Sequence, residues 1–158
     1  HLTWVFPGND KTETNELVLE WFDGEFYPAK DIRALYSVED YPPESAMLIG
    51  TEGALLYGLG GTPLLLPEDK FKAVPRPKLE PRNHYHHFAE ACLGGPMCES
   101  HFAQTGPMAE AILLGTVAIR TPNQKLEWDS AGLRIPNYPA AEKFLRRTYR
   151  KGWEVQPL

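Results

Sequence analysis

Seven of the fifteen prolines in this chain fall between residues 42 and 81: Pro42, Pro43, Pro63, Pro67, Pro75, Pro77 and Pro81. Each removes a backbone donor and holds φ near about −65°, so neither a long helix nor a central strand can run through them. They are expected to sit at element boundaries. Residues 67–81 read as an extended arm, and residues 26–45, polar and proline-bearing, read as a surface loop.

Short apolar runs fit that constraint. Residues 2–6 and 16–22 alternate in the way of strands, with Leu17, Leu19 and Trp21 on one face and Val18, Glu20 and Phe22 on the other. Asp23-Gly24 closes the second run as a tight turn. Residues 46–50 and 53–57 flank a Gly-bounded turn, a hairpin signal, and residues 62–66 supply a third strand. A last strand is expected at 125–128.

Helical spacing dominates the second half. In residues 84–93, Tyr85, Phe88, Ala89 and Cys92 can share a face, and Gly94-Gly95-Pro96 stops the run. Residues 107–121 carry Pro107 in the first turn, then Met108, Ala111, Ile112, Gly115, Ala118 and Ile119 at helical intervals. That stripe is expected to be buried, so that a charge at Ile112 would unfold the domain. A short helix is expected at 140–147. The class is α+β: a mostly antiparallel sheet with helices packed on one face, the exposed face with Trp4 and Trp21 driving dimerisation.

Composition narrows the function. The 158 residues can bury a core without staples. The net charge of −5, from 16 basic and 21 acidic residues, argues against nucleic acid. The one basic run, Arg146 to Lys151, reads as a solvated helix end. Cys92 and Cys98 imply no disulfide framework, and no run reaches the roughly 18 apolar residues of a membrane span.

Few residues suggest chemistry. His84, His86, His87, Cys92, Cys98 and His101 include zinc-ligand types without a zinc-finger spacing, so no metal is expected. Asp129 could be a general base, but Asp-Ser-Ala-Gly is turn chemistry. The pairs Glu39-Asp40 and Glu68-Asp69 fit solvated or capping roles better than acid–base catalysis. Ser100 and Cys98 near His101 lack a glycine elbow for nucleophilic catalysis. Gly58-Leu-Gly60-Gly61 has the wrong spacing for a dinucleotide loop and lies between strands.

Five segments in order carry a resemblance: Ile49-Gly-Thr-Glu-Gly-Ala-Leu55, His84-Tyr-His-His-Phe-Ala-Glu-Ala-Cys-Leu-Gly-Gly95, residues 107–121, Leu126-Glu-Trp-Asp129 and Tyr149-Arg-Lys-Gly-Trp153. Together they resemble the C-terminal domain of the glucose–fructose oxidoreductase/inositol dehydrogenase/MocA-like (Gfo/Idh/MocA) oxidoreductases, in a bacterial branch. The resemblance implies an N-terminal Rossmann domain in the parent enzyme, NAD or NADP as cofactor, a sugar or polyol substrate, and a homo-oligomer formed through the sheet face. It places His84 and His87 as candidates for the substrate cleft. It carries over no catalytic or cofactor-binding residue, since the family's Glu-Lys-Pro motif is missing and Glu142-Lys143 is followed by Phe144.

The chain opens at His1, inside an expected strand, and is therefore read as a C-terminal substrate and oligomerisation domain (residues 1–158) without its Rossmann partner, cytoplasmic or exported. The competing expectations are a stand-alone sugar-binding or interaction module and, more remotely, a metal-dependent hydrolase built on the His/Cys cluster.

Overall fold

A computed structural model describes residues 1–155. They form an α+β fold in two compact units, His1–Glu80 and the part from Pro81 onward. The strands are β1 (Leu2–Pro7), β2 (Glu16–Trp21), β3 (Ser45–Ile49), β4 (Ala54–Gly58) and β5 (Leu64–Leu66). The helices are α1 (Lys30–Arg33), α2 (Glu68–Phe71), α3 (His84–Cys92) and α4 (Phe102–Ala118), followed by a 3-10 helix at Pro139–Phe144.

All strand pairing is antiparallel, as the alternation predicts, but the expected single sheet is instead two: β1–β2, and β3–β4–β5. In the first, Leu2 faces Trp21, Trp4 faces Leu19 and Phe6 faces Leu17. Directly opposed residues share a face, so one side of this hairpin is wholly apolar. The other side pairs Thr3 with Glu20, Val5 with Val18 and Pro7 with Glu16.

The three-stranded sheet owns the first unit's core. Ala54, Leu56 and Leu66 are buried, with Tyr41, Met47 and Leu64 packed against them. The β3–β4 turn is tied by the Gly53 carbonyl accepting from Gly50 N at 2.8 Å. A Cβ on Gly53 would collide with the Leu66 carbonyl and the Phe71 ring. Glycine is required there by close packing of β5 and α2, not by backbone twist. Lys70 anchors the same corner, donating to the Glu52 carbonyl at 2.7 Å and to its carboxylate at 2.6 Å.

In the second unit the core is Val117, Ile135 and Ala141, flanked by Leu126, Trp128, Tyr138, Phe144 and Leu145. The expected stripe on α4 is therefore misplaced. Of the stripe Gly115 is buried, but Ile112 is 47% exposed and Met108 and Ile119 are also exposed, whereas Val117 and Thr121, outside the stripe, are buried. The inward face is turned by about one residue position, roughly 100° around the axis. The physical reason is composition: Ala-Ile-Leu-Leu-Gly-Thr-Val-Ala is apolar on nearly every side, so periodicity alone cannot select the buried one. The helix also starts five residues earlier than its Pro107 suggests, and holds that proline inside.

Two further expectations give way. Residues 125–128 form no strand. Their backbone pairs with a side chain instead: Asn137 Oδ1 accepts from Glu127 N at 2.9 Å and its Nδ2 donates to the Lys125 carbonyl at 2.8 Å. An amide side chain presents one donor and one acceptor, as an edge strand residue would. The helix expected at 140–147 is the 3-10 helix, opened by Pro139 at its start.

Shortening the fully buried Ile135 to Ala should cost about 2–5 kcal/mol, while Ile112→Asp should leave the chain folded; chemical denaturation of both variants checks this assignment of the core. Gly53→Ala should destabilise by about 1–3 kcal/mol through overpacking, measured the same way, and an unchanged midpoint would contradict the tight corner.

Candidate functional site

Helix α3 is the first element of the second unit, and its N-terminus is built by one side chain. Asn83 Oδ1 accepts from Tyr85 N at 3.0 Å and His86 N at 3.2 Å, satisfying two donors that the first turn would leave free. The helix ends where Gly94 adopts φ +88° and Gly95 N donates to the Glu90 carbonyl at 2.9 Å, the stop expected from Gly94-Gly95-Pro96. A Cβ on Gly95 would sit 2.8 Å from that carbonyl, so the returning loop can hug the helix only with glycine here.

The expected apolar face of α3 is not buried: Tyr85, Phe88 and Cys92 are exposed. His87 and Ala91, one turn apart, are the recessed positions of the N- and C-terminal halves. Asn83, His86, His87 and Glu90 fall at i, i+3, i+4 and i+7, which puts them on one side of the helix.

That side and the returning loop enclose an open groove of about 530 Å³, lined by Pro81, Arg82, Asn83, His86, His87, Glu90, Pro96, Met97 and Glu99. Arg82 and Glu99, both lining it, form an exposed ion pair through Nη1 and Oε1, a contact worth little in stability. The groove is shallow: of its lining residues only His87 is half-buried and the others are exposed. His87 lines the groove; His84 does not, its ring lying against Tyr85 with centroids 4.0 Å apart. Arg82, Asn83, Glu90 and Glu99 were not singled out in the sequence. The capping preference of Asn83 and its helical spacing to His86, His87 and Glu90 are the signals that would have found two of these, Asn83 and Glu90.

The remaining chemistry-bearing residues lie outside the groove. Among the described residues no group of three or more His, Cys, Asp or Glu is arranged to hold a metal ion. Cys98 is buried and Cys92 exposed, both free thiols. His101 N-caps α4 without a side-chain capping bond, and its buried Nδ1 has no hydrogen-bond partner. Asp129 organises a turn: its Oδ1 accepts from Gly132 N at 3.0 Å and its Oδ2 from Arg134 Nε at 2.8 Å. The Gly132 amide first, then Arg134, hold its carboxyl below the ordinary range.

Glu110 joins α4 to the segment after it. Its Oε1 accepts from Ser130 Oγ at 2.6 Å and from Trp128 Nε1 at 2.8 Å. These bonds, Ser130's the larger, hold its carboxyl below the usual glutamate range. Among the described residues no helix is long and apolar enough to cross a membrane.

No family model, no curated protein and no solved structure matches this chain.

Because Glu110 and Asp129 hold their protons less tightly in the folded chain than in the unfolded one, their stabilisation is present above the unfolded values. It is lost as the pH falls through the folded ones. Acidification from neutral pH to below the carboxylate range should thus lower Tm, and Glu110→Ala should lower it at neutral pH while flattening its acid dependence. Thermal melts of both proteins across that range measure the difference, and identical pH profiles would rule Glu110 out as a contributor.

Proposed function

We propose that this chain is the substrate-binding and oligomerisation part of a nicotinamide-dependent oxidoreductase acting on a sugar or polyol, and that it carries out no redox chemistry by itself. NAD or NADP belongs, in this reading, to a dinucleotide domain of the parent enzyme. The five ordered segments resembling Gfo/Idh/MocA oxidoreductases supply the family side of the proposal.

The observation that carries it is the groove beside α3. Arg82 and Asn83 offer N–H donors, Glu90 and Glu99 offer carboxylate acceptors, and His86 and His87 offer ring nitrogens of either kind. Each hydroxyl of a polyol is both donor and acceptor, so adjacent hydroxyls are bound by such alternation of side chains. Met97 and the two prolines give apolar surface for the C–H faces of a ring. An open groove with these groups suits weak, reversible binding of a small neutral molecule, with the chemistry supplied from elsewhere.

Titration of the chain with myo-inositol and with glucose, followed by NMR on the His86 and His87 rings, should show saturable shifts with Kd on the order of millimolar. Removing one polar contact in His87→Ala or Glu90→Ala should weaken binding by roughly tenfold. Rings unmoved by either compound, or shifts that survive both substitutions unchanged, would count against the groove as a polyol site.

A further inference from the structure

The face of the β1–β2 hairpin turned away from Trp4 and Trp21 has an unusual make-up. Val5 and Val18, 51% and 54% exposed, lie side by side between Glu16 and Glu20. The adjoining turn and loop add Asp10, Glu13, Asp23 and Glu25, so residues 10–25 hold six carboxylates against the single cation Lys11. Among the described residues only Glu20 of these six has an ion-pair partner, the His1 ring at 2.9 Å.

Residues 143–153 are its opposite. They carry Lys143, Arg146, Arg147, Arg150 and Lys151 with no acid at all. None of these cations has a carboxylate ion-pair partner among the described residues. Three of them instead lie over aromatic rings: Lys143 over Phe144 at 5.0 Å, Arg147 over Tyr149 at 5.4 Å and Arg150 over Trp153 at 4.7 Å. Stacking holds a guanidinium flat and leaves donor edges free for a carboxylate. Tyr149 and Trp153 are themselves exposed.

We propose that residues 143–153 of one copy dock on the Glu16, Val18 and Glu20 face of a second copy's hairpin, arginine to carboxylate and aromatic ring to valine. The inference rests on the oligomerisation part of the proposed function and names the surfaces that make it. Charge complementarity selects the second copy. A second copy brings carboxylates for the cations and a valine pair for the exposed rings, whereas a polyanion such as nucleic acid supplies no counterpart to the acidic hairpin face.

Sedimentation velocity on the full chain tests this, in about 50 mM and about 500 mM salt. Association at low salt that fades at high salt is expected. Arg147→Glu with Arg150→Glu, or Glu16→Lys with Glu20→Lys, should each weaken it by at least about tenfold, and all four together should recover much of the loss. The milder Arg147→Gln with Arg150→Gln pair gives the same reading if a reversal disturbs folding. Association insensitive to salt and to both pairs overturns the docking while leaving the chain an oligomer through another face. A monomer at every concentration overturns it together with the oligomerisation reading, and leaves polyol binding to be judged from the histidine titration. Loss without rescue in the fourfold variant, or retention of a DNA duplex by the arginines without self-association, also overturns it.

Discussion

One carboxylate oxygen, Oε1 of Glu110, accepts both the Trp128 indole N–H and the Ser130 hydroxyl. Much of the second unit depends on this kind of contact. Residues 123–138 pair backbone to backbone as a strand would only at one isolated bridge, Asp129 with Arg134, so several other donors are met by side chains. Asn137 serves the backbone at 125 and 127, Asp129 the amide of Gly132, and Glu142 the amide of Ile135 at 2.9 Å. With those donors satisfied, Ile135 can enter the core completely and meet Val117 and Ala141. The apolar contact supplies the driving force, and the acceptors make the segment's burial affordable in polar terms.

The first unit solves a different problem. Its β3–β4–β5 sheet is held by a few well-buried residues, Ala54, Leu56 and Leu66. The β1–β2 hairpin alternates only in part and has no such depth, and Val5, Leu17, Val18, Leu19 and Trp21 remain exposed. A two-stranded hairpin is marginal in water unless a face is covered. Its two faces differ in character, one apolar and one acidic around a valine pair.

Much of this was legible in the residues. Partial alternation placed β1 and β2, and short apolar runs bounded by glycine placed β3, β4 and a longer β5, all but the last within a residue or two. The Gly94-Gly95-Pro96 stop and the Asp129 turn were legible for the same reason: glycine, proline and aspartate act through local backbone geometry. The buried side of α4 was not legible, since Ile112 and Val117 are equally apolar and only their neighbours distinguish them. The groove was half legible. Histidines drew notice by type, but Arg82 and Glu99 are separated by a helix and a loop, and nothing in either residue's surroundings along the chain announces the other.

The sequence by itself determined the α+β class, the antiparallel pairing, the short lengths of the elements and the helix stops, because each follows from the preferences of a few consecutive residues. Tertiary structure alone decided that the strands form two sheets and that α4 turns Val117 inward. It also decided that Asn137 replaces a strand at 125–128, and that His87 rather than His84 lines the groove. Those outcomes depend on contacts between residues far apart in the chain, such as Val117 with Ile135 and Arg82 with Glu99, whose energies do not exist until the chain has folded.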